Sequence, residues 1–216
     1  MGAFADRVIV VSGVETPMGQ SFTAALAEQG AQVVAADRTD LSDSVDALLL
    51  IVPSPPPIPT TSLSDAEWDA TVSTSMTNYF HLLKNVGAGM IARQRGVILI
   101  VGGLGGLTGF PRWAASSALE GALIALTRSL ACEWAQYQVR IVYLACGAVD
   151  GEHISEANPT EFTITANALE RTAQKRAASM AEIIDTAFYL LSDRASFTTG
   201  SVIRADGGWT AWGLLN

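Results

Sequence analysis

The sequence predicts an α/β fold in a single domain, because short strands of the buried type alternate with helices that carry few charges. Residues 97–101 form a β-branched apolar run between glycines, which is typical of a strand buried on both faces. Residues 114–134 have helical character over about 30 Å and only a few formal charges, so this helix needs cover on more than one side. Residues 140–145 then return as the next buried strand.

Length and composition fit one globular domain, 1–216, with a sizeable core. Apolar residues make up 49% and charged residues 16% of the chain, which is typical of a subunit that hides part of its surface against partners, or of a chain with a large single core. A net charge of −8 argues against nucleic-acid and anionic-membrane partners, because no basic patch is available for phosphates. We expect neither a signal peptide nor a membrane span. Two cysteines form no disulfide framework and indicate the reducing cytoplasm.

The first elements are a strand at 7–12, a turn that contains Gly13 and Gly19, and a helix that runs to about residue 29. Thr16 as N-cap and Pro17 in the first helical position would start that helix without any ligand. The second strand, 32–36, ends at Asp37, an acidic residue at the place that contacts the ribose of NAD in dinucleotide-binding folds.

Residues 46–52 are the next buried strand, and the five prolines in 53–61 indicate a stiff loop. A rigid spacer is the favoured interpretation of that loop, and a ligand for an aromatic groove of a partner is the alternative. Ser64 and Glu67 form a capping-box pattern that opens the next helix, which has one formal charge, Lys84, over 70–91. A variable loop over 151–172, a helix over 176–191 and an ending over 192–209 complete the chain.

These segments resemble the short-chain dehydrogenase/reductase family over most of the chain. The strand GVILIVGG, the following helix and the next strand have the family's spacing, and the ending SDRASFTTGSVIRADGGW matches its TG…DGG motif closely. The residues at the family's four catalytic positions differ from the usual ones. Its asparagine position is Ser75, its serine position is Gly103, its tyrosine position is Ser116 and its lysine position is Glu120.

The resemblance implies a Rossmann-like, doubly wound parallel sheet that is shortened by about one α-β-α unit after the second strand. Residues 46–52 would then occupy the family's fourth strand position; otherwise they are its third strand and the sheet is rearranged. In the family's TGxxxGxG loop, Gly13 and Gly19 persist and Pro17 replaces the middle glycine. We therefore expect no cofactor in this chain, with Gly13, Gly19 and Asp37 as vestiges of an NAD site.

The function that the resemblance implies is a non-catalytic subunit of a hetero-oligomeric dehydrogenase. Its partner would be an active homologue in a heterotetramer, which binds NAD and oxidises a hydroxyacyl substrate, CoA-linked substrates included. The family's two assembly surfaces keep their pattern, and this interpretation predicts a filled cleft. The alternatives are a stand-alone enzyme with a deep polar pocket around Ser116 and Glu120, and a homo-oligomeric binding or regulatory protein.

Other candidate groups have weaker signals. Ser116 and Glu120, one helical turn apart, could form a hydroxyl and a base, but no histidine has a motif relation to them. We expect His81 to be packed or at an interface and the Cys146 thiol to be inert. A cluster of potential metal ligands lies in a loop, but its residues lack the spacing of known metal sites, so no metal is expected. Its members are Asp150, Glu152, His153 and Glu156.

Overall fold

The computed structural model of the chain describes residues 2–36, 44–150 and 166–212, and its strands form one parallel sheet. The strands are β1 (Val8–Ser12), β2 (Gln32–Ala35), β3 (Ala47–Ile51), β4 (Gly96–Gly102), β5 (Val139–Cys146) and β6 (Val202–Ala205), in the spatial order β2-β1-β3-β4-β5-β6. The predicted α/β fold with a doubly wound parallel sheet is confirmed.

Six α-helices accompany the sheet within the described ranges. They are α1 (Pro17–Glu28), α2 (Asp65–Trp68), α3 (Ser75–Arg93), α4 (Ala114–Trp134), α5 (Ala166–Arg171) and α6 (Met180–Leu191). None of them is long and apolar enough to cross a membrane.

The side chains of the central strands alternate between two apolar cores, one on each face of the sheet. Leu48, Ile98 and Ile141 point to the core that α3 and α4 cover. Leu49 and Leu99 point to the opposite core, which α1 and α6 cover. Burial on both faces explains why the strands are continuous apolar runs.

The position of β3 shows how the sheet is shortened. Ile9 of β1 pairs with Ala47, and Leu48 pairs with Ile98 of β4, so β3 lies beside β1 on the side away from β2. Residues 46–52 therefore occupy the family's fourth strand position, and the alternative of a rearranged sheet is wrong. Most of the connection from β2 lies outside the described residues.

Three boundaries differ from the predictions. The helix predicted to open at the capping box of Ser64 and Glu67 is interrupted by a π-helical segment, Asp69–Thr74, whose β-branched residues disfavour regular α-helix. The last long helix begins at Met180 rather than at residue 176, because Ser179 caps it. The region predicted as a loop up to residue 172 contains the short helix α5.

Candidate functional site

A cleft lies at the carboxyl ends of the strands, where the chain order reverses between β1 and β3; open α/β sheets bind their ligands at such a point. It encloses a cavity of about 480 Å³. Its described lining is largely apolar and includes Met18, Val52, Val101, Leu104, Phe110, Trp113, Ser116, Glu120, Cys146, Val149 and Trp209. The expectation of a filled cleft is wrong, and the pocket around Ser116 and Glu120 is far less polar than the stand-alone enzyme requires.

Glu120 is the buried acidic group of this cleft. Its side chain on α4 turns towards the loop after β4, where Oε2 accepts a hydrogen bond of 2.6 Å from the backbone N–H of Gly105. Burial raises the pKa of Glu120, and the N–H groups of Gly105, Gly106 and Gly103 oppose that rise. The side chain at the family's lysine position is thus a carboxyl group tied to a glycine loop.

Gly103, at the family's serine position, leaves space for this carboxylate. A Cβ atom at Gly103 would lie 2.9 Å from Oε1 of Glu120 and 3.3 Å from Oε2. A serine in this place would push against the carboxylate, so the two replacements accommodate each other. Ser116 is buried one helical turn before Glu120 and lines the same cavity.

Ser75, at the family's asparagine position, is not part of the cavity lining. It is the first residue of α3, and its hydroxyl donates to the carbonyl of Ala70 at 3.0 Å. That bond spans five residues, which matches the wide turn of the π-helical segment before α3. Ser75 therefore has a local role in the helix, and the structure brings together Gly103, Ser116 and Glu120 without it.

A buried tyrosine lies beneath the glycine loop, and sequence reasoning missed it. Tyr143 of β5 is 0% exposed, and its hydroxyl donates to the carbonyl of Gly103 at 3.5 Å. Burial, and then the charge of Glu120, raise the pKa of Tyr143 well above its ordinary value. Tyr143 is not among the described residues that line the cavity, so its hydroxyl does not replace the family's tyrosine.

The turn after β1 is explained by chain geometry without a nucleotide. Gly13 has φ +80°, and a Cβ at Gly19 would lie only 1.9 Å from the carbonyl oxygen of Gly13. Thr16 caps α1 by accepting from the N–H of Gly19 at 3.0 Å, and Pro17 occupies the first turn, as predicted. Of two potential phosphate donors, the N–H of Gly19 is therefore engaged by Thr16, and Pro17 has no N–H. Asp37 lies outside the described residues.

An aromatic wall closes one side of the cavity. The rings of Phe110 and Trp209 are stacked with centroids 5.1 Å apart, and the guanidinium of Arg171 lies 4.0 Å from the Trp209 ring centre. Asp206 accepts from the N–H groups of Gly208 and Thr210 at 2.9 and 3.0 Å, and this turn carries Trp209 towards the cleft. The DGGW motif was identified from the sequence, but the contact of Trp209 with Phe110 was not predicted.

The remaining candidates have simple environments. Burial, and then the charge of Glu120, raise the pKa of Cys146 to about 12, in agreement with an inert thiol. His81 is exposed beside Phe80 on α3 and not packed within the chain. Of the candidate metal cluster, Glu152, His153 and Glu156 lie outside the described residues.

The fold and cleft define a class, the Rossmann-like α/β proteins in which nucleotide-dependent oxidoreductases are built. The family model described as enoyl-(acyl carrier protein) reductase matches residues 43–210. The chain belongs to the short-chain dehydrogenase/reductase family of oxidoreductases.

Similar proteins include a catalytic and an inactive one. The chain is 32% identical to 2-(S)-hydroxypropyl-CoM dehydrogenase 3 of Xanthobacter autotrophicus over 149 residues, which cover 68% of this chain and 58% of that protein. It is also 32% identical to the inactive 2-(S)-hydroxypropyl-CoM dehydrogenase 2 of the same organism over 147 residues, 67% of this chain and 64% of that protein. The chain thus spans about three fifths of these relatives' length.

Solved structures share the fold over nearly the whole chain. A protein from Sinorhizobium meliloti 1021, described as a short-chain alcohol dehydrogenase, superposes with a TM-score of 0.85 at 25% identity, covering 96% of this chain and 98% of that one. A gluconate 5-dehydrogenase from Burkholderia cenocepacia J2315 gives a TM-score of 0.83 at 21% identity, covering 97% of both chains.

Proposed function

We infer that this chain is a non-catalytic subunit that binds and stabilises an active short-chain dehydrogenase. The observation that carries the proposal is the carboxylate of Glu120, which is buried against the loop amides at Gly105. The family's reaction needs a tyrosine hydroxyl whose pKa is lowered by a nearby lysine. Here the tyrosine position is Ser116, and the group at the lysine position has the opposite charge in its ionised form.

Neither Gly103 nor Tyr143 supplies a hydroxyl in place of the family's serine and tyrosine. Gly103 has no hydroxyl for a substrate oxygen, and Tyr143 is fully buried with a raised pKa. The inactive relative from Xanthobacter supports the idea that family members can lose catalysis and persist. A repurposed enzyme is the weaker candidate, because among the described residues that line the cavity Glu120 is accompanied by neither a histidine nor a lysine.

Two surfaces of the chain are suited to association. The outer face of α3 and α4 exposes Phe80, which is 47% accessible, together with Ala88, Ala118 and Ala125. Tyr189 of α6 and Phe197, which follows that helix, are also exposed apolar side chains. Exposed apolar residues beside small ones allow close approach of a second subunit. We propose an active homologue as that subunit, in a heterotetramer, with NAD bound only by the homologue.

Co-expression with a complete family member encoded beside this chain tests the proposal. We expect native mass spectrometry to show a mixed tetramer, and NADH titration of the separated chains to give binding by the partner alone. Phe80→Asp should prevent the mixed assembly, whereas Phe4→Leu, a conservative change inside the chain, should not. A homo-oligomer that binds NADH with micromolar affinity would overturn the proposal.

A further inference from the structure

The cleft holds a cavity of about 480 Å³ but lacks features that suit a dinucleotide. At the start of α1, Pro17 has no N–H to donate, and the N–H of Gly19 is bonded to Thr16. In the loop after β4, the N–H of Gly105 is bonded to Glu120. Backbone N–H groups at such turns are the usual partners of phosphate, so these two described turns offer an anion few donors.

The remaining surface of the cavity suits an aromatic molecule. Phe110 and Trp209 form a stacked wall, and the apolar side chains of Val52, Val101 and Leu104 line the interior. A volume of about 480 Å³ is in the range of small-molecule sites, which are mostly apolar with few polar groups. Arg171 is the cation of the described lining, and it is exposed to solvent, which screens its charge.

Glu120 supplies the polar group that would orient such a ligand. A carboxylate has about four acceptor positions, and the loop N–H groups of Gly103, Gly105 and Gly106 face three of them at most. At least one acceptor position is thus left for an N–H or O–H group. An anionic ligand would meet a buried carboxyl group that repels it when ionised.

We propose that the cleft is a binding site for an uncharged aromatic compound that bears one N–H or O–H group, packed against the wall formed by Phe110 and Trp209 and hydrogen-bonded to Glu120. This goes beyond the proposed subunit role and does not depend on it. The two proposals can fail separately. The chain could assemble with a partner and bind no such ligand, or it could bind the ligand and assemble with no partner.

N-phenyl-1-naphthylamine is a suitable probe, because it is uncharged, aromatic and has one N–H. Its matched control is 1-anilinonaphthalene-8-sulfonate, which adds a sulfonate to the same skeleton. On the full chain we expect saturable fluorescence enhancement at one site for the amine, and binding of the sulfonate about tenfold weaker. Absence of saturable binding by the amine, or equal binding of both probes, would overturn the proposal.

Variants locate the site. Phe110→Ala should weaken binding of the amine about tenfold, because it removes half of the aromatic wall from a partly exposed loop. Phe197→Ala removes a fully exposed ring elsewhere, and Phe80→Ala tests the outer face of α3; neither should change the affinity. Glu120→Gln should reduce the preference for the amine over the sulfonate. An affinity that depends on Phe80 and not on Phe110 would contradict the assignment.

Discussion

The carboxylate of Glu120 accepts a hydrogen bond from the backbone N–H of Gly105, with 2.6 Å between Oε2 and the nitrogen. The two residues are 15 positions apart and connect α4 to the glycine loop after β4. At the positions where the family assembles its catalytic groups, this chain has an internal hydrogen bond. The loop is therefore held without substrate or cofactor, at the cost of burying an acidic side chain.

Glu120→Gln should change how stability depends on pH. Burial raises the pKa of Glu120 above its ordinary value of 4.5, so its contribution to stability is fully present below pH 4.5 and is lost as pH rises through the raised pKa. The amide of glutamine still accepts from Gly105 but does not ionise. Chemical denaturation should show the stability of the variant relative to wild type increasing with pH, by up to about 1.4 kcal/mol per pH unit in that window. A constant difference between pH 4 and 8 would contradict the raised pKa.

Gly103→Ala should destabilise the chain by about 1–3 kcal/mol, because the new methyl group would press on the Glu120 carboxylate. The cost should be smaller in a Glu120→Ala background, where that contact is absent, and a double-mutant cycle measures the coupling. Gly109→Ala is the matched control, since a Cβ there meets nothing within 4 Å. Additive effects of the two substitutions would argue against mutual accommodation.

Local signals explain how much of this arrangement could be predicted. The N-cap at Thr16 and the bounds of α4 depend on neighbouring residues, and both predictions were confirmed. The bond from Tyr143 to Gly103 joins residues 40 positions apart, and the stack of Phe110 on Trp209 joins two distant loops. Such contacts are set by sheet register and loop packing, which periodicity does not encode. The open cavity was missed for the same reason.

The two cysteines should react at very different rates. Cys132 is exposed on α4, whereas burial raises the pKa of Cys146 to about 12, and only the thiolate reacts. Titration with Ellman's reagent should give one fast thiol in the folded chain and two after unfolding. Cys132→Ser should remove the fast phase and Cys146→Ser should leave it. A fast phase in the Cys132→Ser variant would show that Cys146 is accessible.

Ser179→Ala should lower the free energy of unfolding by about 1 kcal/mol, because it removes the N-cap of α6. The Ser179 hydroxyl accepts from the N–H of Glu182, and the Glu182 carboxylate accepts from the N–H of Ser179 at 2.8 Å. Ser129→Ala, at an exposed position of α4, is the control and should be neutral or slightly stabilising. If both substitutions changed the free energy of unfolding in urea equally, the Ser179 cap would not stabilise α6.

Glu120→Lys introduces the family's own residue and should nevertheless damage the chain. The N–H of Gly105 would lose its acceptor and face a cation that has only donors. Leaving buried polar groups unpaired costs about 3 kcal/mol or more, so this variant should be much less stable than Glu120→Gln. The comparison separates loss of negative charge, common to both variants, from loss of the acceptor. If Glu120→Lys folded as stably as Glu120→Gln, the loop would not depend on an acceptor at this position, and the main support for a non-catalytic cleft would be lost.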